Sequence, residues 1–266
     1  MSLVQLLLFG IVSFFASVAG AICGIGGGVI IKPTLDLFGW VSVSTISFLS
    51  GCTVLSMSCY SVVRNMLGGE SKVKLATGTP LAIGAAVGGI VGKQLFSAIK
   101  AAAPHPEQVG SVQSACLALV TLGTLLYTVN KKSIRTKNVS GAAPCVIIGL
   151  ILGIMSSFLG IGGGPINLVV LFYFFSMDTK TAAQNSLYII LFSQIASLIT
   201  TLATRTVPEF EIAALALMVI GGICGGMAGR AFNKKLSGAA VDKLFTGLMV
   251  VIIIISAYNT WQYLFA

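Results

Sequence analysis

Charged residues in this chain are confined to short stretches, and that spacing restricts its fold more than any other feature of the sequence. Eight windows contain no Asp, Glu, Lys or Arg: residues 1–31, 37–63, 75–92, 108–130, 138–177, 181–204, 212–229 and 244–266. Each window reaches or exceeds the roughly 18 residues that a membrane-spanning helix needs. Only 9% of the 266 residues are charged, against about 25% in an ordinary soluble domain. We therefore predict an all-α polytopic membrane protein.

The net charge of +9 indicates membrane topology rather than a nucleic-acid partner. The basic residues lie in short loops between apolar windows and do not line one solvated face. Lys and Arg are retained on the cytoplasmic side of membrane proteins, so their positions indicate orientation. Residues 1–8 contain no basic segment of the kind that opens a cleaved signal peptide. We expect the first apolar window to remain in a mature multi-pass protein of the bacterial inner membrane.

Neither a catalytic centre nor a metal or cofactor site is predicted from the residue pattern. The six cysteines lie in apolar windows without CxxC or Cys/His spacing, and the single histidine, His105, lies between two prolines. The windows contain no paired carboxylates and no Ser/His/Asp set, so we do not expect an enzyme. Cys23 and Cys52 lie near a glycine-rich segment, which leaves contact with a sulfur-containing substrate as an alternative to ordinary packing.

One unit of the sequence occurs twice. Residues 24–28 read Gly-Ile-Gly-Gly-Gly, and the same five residues recur at 160–164, which is 136 positions later. A glycine-rich segment that closes with a basic residue, 88–93, recurs at 225–230 with a shift of 137. Self-similarity at a nearly constant shift indicates an internal repeat. The predicted division is a first membrane repeat at 1–130, a basic cytoplasmic hinge at 131–137 and a second membrane repeat at 138–266.

The longest window, 138–177, is too long to be one transmembrane helix. As a continuous helix it would extend about 60 Å, twice the roughly 30 Å hydrocarbon core. The glycines of 160–164 and the following Pro165 remove side-chain packing and a backbone donor, so the helix should break there. If each broken unit returns to its starting side, 12 of the 16 Lys and Arg residues share one side, as the positive-inside tendency predicts.

Each repeat is therefore predicted to contain a hairpin of two short helices around a glycine break, followed by three transmembrane helices. Such a repeat crosses the membrane an odd number of times, so the second repeat should be inverted relative to the first, with both termini outside. Inverted repeats are common in secondary transporters.

The two glycine breaks are the predicted anion-binding elements. A helix that resumes after a break presents free backbone N–H groups and the positive end of its dipole. The candidate substrate-binding residues are the breaks and the polar residues near them: Gly24, Gly26, Gly27, Gly28, Lys32, Ser50, Thr53, Gly160, Gly162, Gly163, Gly164, Pro165, Asn167, Gln184, Asn185 and Ser186. The competing interpretation is that polar residues only join helices and glycines only allow close packing. Close packing is preferred for Gly88, Gly92, Gly225 and Gly229.

Lys32 has two interpretations. It follows the first break by four residues and would attract an anion, or it would snorkel to the membrane interface, partly neutralised by Asp36. None of the eight windows contains Asp or Glu, so a carboxylate-based proton relay or sodium site is not predicted. The coupling ion, a proton or another ion, is left undetermined.

The chain resembles the TauE/SafE sulfite exporter family, also called the toluene sulfonate uptake permease family. The similarity rests on the paired Gly-Ile-Gly-Gly-Gly segments, the polar segments ending at Ser50 and Ser186, and the glycine-rich span that closes with a basic residue in each half. The resemblance implies transport of sulfite, thiosulfate, sulfonates, sulfoacetate or related organic anions. Proline follows the two breaks at different distances, at Pro33 and Pro165, so the halves differ near the site.

The leading hypothesis is a secondary transporter that holds a small anion between the two breaks and works by alternating access. Its expected partners are this anion and the lipid bilayer, with no nucleic acid, and assembly as a homodimer is left open. An anion channel of the same fold is the alternative. An intramembrane sulfur-transfer protein is a weaker alternative, because it needs a nucleophile or an acid/base cluster.

Overall fold

The structure is a computed structural model that describes residues 2–69, 71–102, 109–131, 133–161 and 163–265. Gly162 and His105 lie outside the described residues. The described chain forms ten helices: α1 Leu3–Cys23, α2 Gly28–Asp36, α3 Val43–Leu67, α4 Leu75–Ala102, α5 Val109–Asn130, α6 Ala142–Phe158, α7 Pro165–Phe175, α8 Thr179–Ala203, α9 Ile212–Lys235 and α10 Gly238–Phe265. Seven of them, all except α2, α6 and α7, are long and apolar enough to cross a membrane. These helices confirm the predicted all-α polytopic membrane fold.

Polar caps start three of the long helices. Ser2 forms a capping box with Gln5 at the start of α1, and the Ser42 side chain accepts a hydrogen bond from the Thr45 backbone in α3. Asp178 accepts backbone hydrogen bonds at the start of α8. Burial raises the pKa of Asp178, but hydrogen bonds from Thr181 outweigh that effect and hold the pKa below its usual value. The loops before these helices therefore set where each span begins.

The chain reverses direction at the first glycine break. Gly24 ends α1 in the left-handed region at φ 78°, and three residues later Gly27 lies against Ser17, where a Cβ would be 3.1 Å from the serine oxygen. Residues ten apart in a continuous helix would be about 15 Å apart. The predicted hairpin around the first break is therefore present, but only its second helix is short: α2, at nine residues, extends about 13 Å.

One length differs from the prediction. We expected the first two helices of each repeat to be short, but α1 has 21 residues, whereas its counterpart α6 has 17. The α1 segment starts at a capping box and contains no proline. In α6, Gly141 at φ 100° and Pro144 confine the start of the helix to the residues just before the apolar run.

The glycine-rich spans pack tightly against the first helix of the opposite repeat. A Cβ at Gly88 or Gly92 in α4 would overlap the carbonyl oxygens of Leu150 or Ile154 in α6. A Cβ at Gly225 or Gly229 in α9 would overlap the carbonyl oxygens of Phe14 or Val18 in α1, which are the equivalent positions at a shift of 136. This confirms that these four glycines allow close helix packing.

The two halves are interleaved rather than side by side. Helix α1 packs on α9 while α6 packs on α4, and α3 packs on α9 while α8 packs on α4. Helices α1, α3 and α4 of the first repeat are the counterparts of α6, α8 and α9 of the second. The two contacts in each pair are therefore equivalent, because replacing each helix by its counterpart turns one contact into the other. The core is therefore shared by both halves, and their boundary at 131–137 is not a boundary between separate folding units.

The four basic loops meet at one end of the molecule. Lys131 forms a salt bridge of 2.6 Å with Asp242, and the Thr179 hydroxyl donates to the other oxygen of the same carboxylate. Arg230 on α9 donates a hydrogen bond to Asn65 on α3. The described residues of segments 64–74, 131–137, 178–180 and 230–243 therefore lie together.

Candidate anion site

The two glycine breaks meet each other in the middle of the molecule. Gly28, the first residue of α2, lies so close to the second break that a Cβ would overlap the carbonyl oxygen of Ile161. Gly24 lies equally close to the backbone of Ala183 in α8, and Gly160 lies beside Ser47 in α3. Ser47 and Ala183 are equivalent positions at the shift of 136. The first break thus lies between the second break and α8, and the second break lies between the first break and α3.

Gly160 and Gly163 adopt backbone conformations that favour glycine. Their φ angles are 65° and 131°, and a side chain at Gly163 would overlap that of Ile190. Gly164 then precedes Pro165 at the first position of α7, where proline is well suited to start a helix. The second break therefore needs its glycines both for the turn and for space.

Lys32 connects the helix after the first break to the second break. Its side chain is only 4% exposed, and its ammonium donates hydrogen bonds to the Leu159 carbonyl oxygen at 2.8 Å and to the Gln113 side-chain oxygen at 2.6 Å. Asp36, one helical turn later, is 6% exposed. This burial contradicts the snorkelling interpretation. A lysine buried inside a membrane fold is costly, which makes Lys32 a candidate functional residue.

Gln113 and Lys32 together cap the end of α6. The Gln113 side-chain nitrogen donates to the Phe158 carbonyl oxygen at 2.6 Å, next to the carbonyl that Lys32 binds. The last carbonyls of a helix carry the negative end of its dipole, so a cation is stabilised there. The Lys32 ammonium is thereby placed beside Gly160.

A cavity of about 500 Å³ leads to this point. Its inner end is formed by Gly160 and Gln113, and Lys100, Thr206 and Pro208 lie towards its mouth. The remaining lining residues come from α3, α4, α6 and α8: Ser44, Ser47, Phe48, Gly51, Cys52, Lys93, Phe96, Ser97, Ala101, Ser156, Ser157, Gln194, Ser197, Leu198 and Thr201. None of these residues is acidic. We call this the larger cavity.

Several buried polar atoms near the breaks lack a hydrogen-bond partner among the described residues. They include the hydroxyls of Ser50 and Ser186 and the side-chain oxygen of Asn167, all on fully or almost fully buried residues. The hydroxyls of Ser156 and Ser157, which line the larger cavity, are also unpaired. Buried polar groups are normally paired, so these atoms indicate bound water or a polar ligand. Ser50, Ser186 and Asn167 were predicted from the sequence.

Other predicted residues lie elsewhere. Gln184 and Asn185 accept hydrogen bonds from the backbone of Lys72 and Lys74, so they hold the loop before α4. The Thr53 hydroxyl donates to the carbonyl oxygen of Leu49 within its own helix. Gly26 and Gly27 lie in the first break. Among the predicted site residues that the structure describes, Gly160 is the one that lines the larger cavity.

Sequence reasoning missed the main polar lining of the larger cavity. Gln113, Lys93 and Lys100 were not proposed as site residues. Gln113 offered a signal, since it is an amide within the charge-free window 108–130. Cys52, which was considered for substrate contact, lines this cavity, whereas Cys23 is fully buried away from it.

Comparison with known proteins identifies the family of this chain. The family model described as "Sulfite exporter TauE/SafE" matches residues 9–256, nearly the whole sequence. No curated protein and no solved structure matches the chain. The match covers all of α2 to α9, both glycine breaks and the larger cavity. The chain therefore belongs to the TauE/SafE sulfite exporter family of membrane transporters.

Proposed function

We propose that this protein is a secondary transporter of a small sulfur-containing or organic anion, of the sulfite, thiosulfate, sulfonate or sulfoacetate class. The anion binds at the inner end of the larger cavity, between the two breaks. The observation that carries this proposal is the convergence of the Lys32 ammonium, the Gln113 amide and the second break at that point.

The groups at the inner end suit a small oxyanion. Lys32 lies just behind Gly160, off the cavity wall, and supplies an ammonium group there. Unpaired hydroxyls on Ser156 and Ser157 supply donors that replace water around the anion. The helix starts at Gly28 and Pro165 add dipoles without adding charge. Lys93 and Lys100 along the cavity wall attract anions towards the site.

Alternating access is favoured over a continuous pore. Val54 in α3 and Ile190 in α8 are fully buried, and both lie within 3.4 Å of a Cβ position at Gly26 in the first break. In α3, Val54 follows the residues that line the larger cavity, and in α8, Ile190 precedes them. We propose that they close the route beyond the cavity. A transporter needs such a closed segment beside its binding site, whereas a channel needs an open one.

The repeats are proposed to be inverted in the membrane, with the basic loops in the cytoplasm. The meeting of segments 64–74, 131–137, 178–180 and 230–243 at one end supports this, because these segments carry 12 of the 16 Lys and Arg residues. The mouth of the larger cavity then faces the outside, as do both termini. Reporter fusions in the loops 131–137 and 204–211 should give opposite locations.

Cys52 offers a direct test of the binding site. A thiol reagent that does not cross membranes should label Cys52 from the outside in a variant that lacks the other five cysteines. Sulfite, thiosulfate, sulfoacetate, taurine and acetate are then compared for thermal stabilisation of the purified protein and for protection of Cys52. Protection is measured relative to labelling of a free thiol in the same solution, because sulfite and thiosulfate consume thiol reagents. Protection by at least one sulfur oxyanion, and weak protection by acetate, is the expected result. Labelling that none of these anions changes would refute the proposed site.

A further inference from the structure

A second, smaller cavity lies at the end of the molecule where the basic loops meet. Its volume is about 220 Å³. It is lined by residues of α1, α3, α8 and α9 and of the loop before α4: Ala21, Ser61, Asn65, Lys72, Lys180, Ala183, Gln184, Leu187, Arg230, Asn233 and Lys234. Its inner end lies against the first glycine break, since Ala183 packs on Gly24.

This smaller cavity is the repeat counterpart of the larger one. Every residue that lines it corresponds, at a shift of 136 or 137, to a residue that lines the larger cavity. Ser61 corresponds to Ser197, Ala183 to Ser47 and Arg230 to Lys93, for example. The inner ends correspond as well, because one lies at Gly24 and the other at Gly160. Two equivalent cavities thus approach the paired breaks from opposite ends.

The smaller cavity is the more cationic of the two. It is lined by four basic residues, Lys72, Lys180, Arg230 and Lys234, and by no acidic residue. The larger cavity has two basic residues, although it has more than twice the volume. The positions equivalent to Lys72, Lys180 and Lys234 are Pro208, Ser44 and Ser97, so three of the four cations are specific to this half.

The basic side chains of the smaller cavity differ in the partners that they contact. Arg230 donates to Asn65, and the charge of Lys72 interacts with Asp178 outside the cavity. The side chains of Lys72 and Lys180 donate no hydrogen bond within the described part of the chain. Amide groups of Gln184 and Asn233 and the unpaired hydroxyl of Ser61 lie among them. This combination of cations and neutral donors is the lining expected for a small oxyanion.

We propose that the smaller cavity is a second anion-binding site, at which the transported anion binds on the side opposite the larger cavity. This inference rests on the proposed function. The higher positive charge makes it the site of stronger attraction for a small oxyanion at low salt. The basic loops place it on the proposed cytoplasmic side, so it is the site of substrate capture during export.

The bound group could be a free oxyanion or the phosphate of an anionic lipid, and the connection to the first break favours the free oxyanion. The test measures binding of radiolabelled sulfite to the whole protein in nanodiscs of phosphatidylcholine alone, which has no net charge. Lys72→Gln combined with Lys180→Gln removes two cations of the smaller cavity. Lys74→Gln combined with Lys243→Gln is the matched control, because both are exposed basic residues outside the two cavities.

The expected result for the wild-type protein is binding in two phases. In the Lys72/Lys180 variant the affinity of the tighter phase should fall about tenfold or more, because the loss of one hydrogen bond from a charged group lowers affinity by about that factor. The Lys74/Lys243 control keeps both phases. Protection of Cys52 by sulfite persists in every variant, because Cys52 reports on the larger cavity.

Two outcomes would overturn this inference while the proposed function stands. One is a single binding phase that the Lys72/Lys180 variant does not change, with protection of Cys52 intact. The other is a lipid site, shown if phosphatidylglycerol copurifies with the wild-type protein, is lost from the Lys72/Lys180 variant, and no second sulfite phase occurs in phosphatidylcholine. Failure of sulfite to protect Cys52 or to bind at all would instead count against the proposed function itself.

Discussion

The Lys32 ammonium donates a 2.8 Å hydrogen bond to the carbonyl oxygen of Leu159, and so joins the short helix of one repeat to the break of the other. Replacing Lys32 with Met removes the charge at similar length. We expect sulfite affinity to fall at least about tenfold and the free energy of unfolding to fall by about 1–3 kcal/mol, because the Gln113 and Leu159 acceptors lose a charged donor. Equilibrium binding and thermal unfolding measure the two effects.

Lys32→Arg is the control for this prediction. It keeps the charge while changing the shape of the donor, so it should retain more sulfite affinity than Lys32→Met. Unchanged affinity in Lys32→Met would remove this residue from the anion site.

Substitutions at Ser50 and Ser186 should affect sulfite affinity and protein stability differently. Both residues are fully buried, and their hydroxyls have no partner among the described residues. Replacing either with Ala should leave the melting temperature unchanged or slightly higher, because an unpaired buried hydroxyl costs stability. Sulfite affinity should fall about fivefold to tenfold if the hydroxyl binds the anion or its water.

Ser58 provides the matched control for the hydroxyl variants. It lies on the same helix as Ser50 and is equally buried, but its hydroxyl donates to the Leu55 carbonyl oxygen. Ser58→Ala should therefore leave sulfite affinity unchanged. A large loss of stability without a loss of affinity in Ser50→Ala would assign Ser50 a structural role.

The two glycine breaks are predicted to be essential for transport. Gly27→Leu and Gly163→Leu should abolish sulfite flux in proteoliposomes while leaving membrane insertion intact, because Gly27 packs against Ser17 and Gly163 against Ile190. Gly247→Leu in α10 is the control, since nothing lies near its Cβ position. Normal flux in both break variants would exclude the breaks from the site.

Adding a single methyl group to the tightly packed interface between α4 and α6 should destabilise the protein. Gly88→Ala places a Cβ against the Leu150 carbonyl oxygen and should lower the melting temperature markedly, with a cost of about 1–3 kcal/mol as for other overpacked sites. Gly123→Ala on α5, where nothing lies within 4 Å of the Cβ position, should be neutral or stabilising by up to about 1 kcal/mol. Equal melting temperatures for the two variants would contradict the close approach.

Much of this fold follows from local sequence signals. Charge-free windows longer than a bilayer span locate the long helices, and the shift between the two Gly-Ile-Gly-Gly-Gly segments predicts equivalent breaks. The prediction that α1 is short is wrong, because the capping box at Ser2 starts a helix of 21 residues. Boundaries depend on such individual residues more than on the apolar pattern.

The site was only partly predictable from the sequence because it depends on contacts between distant segments. Asn167 was predicted from its place just after the second break, and Ser50 and Ser186 from their matching positions in the spans that follow the breaks. All three residues are buried. Gln113 and Lys32 meet only because α2 and α5 both pack near the end of α6, and no local pattern encodes that meeting. Cavities built from four or five helices require the three-dimensional arrangement of the repeats.

Countertransport in proteoliposomes tests the central claim, which is that the anion binds between the breaks and crosses by alternating access. Vesicles are loaded with unlabelled sulfite, and entry of radiolabelled sulfite is followed without an electrical driving force. Alternating access predicts saturable uptake that trans sulfite accelerates and that Lys32→Met reduces at least about tenfold. Uptake that increases linearly with sulfite concentration and does not change with trans sulfite would indicate a channel. It would contradict alternating access.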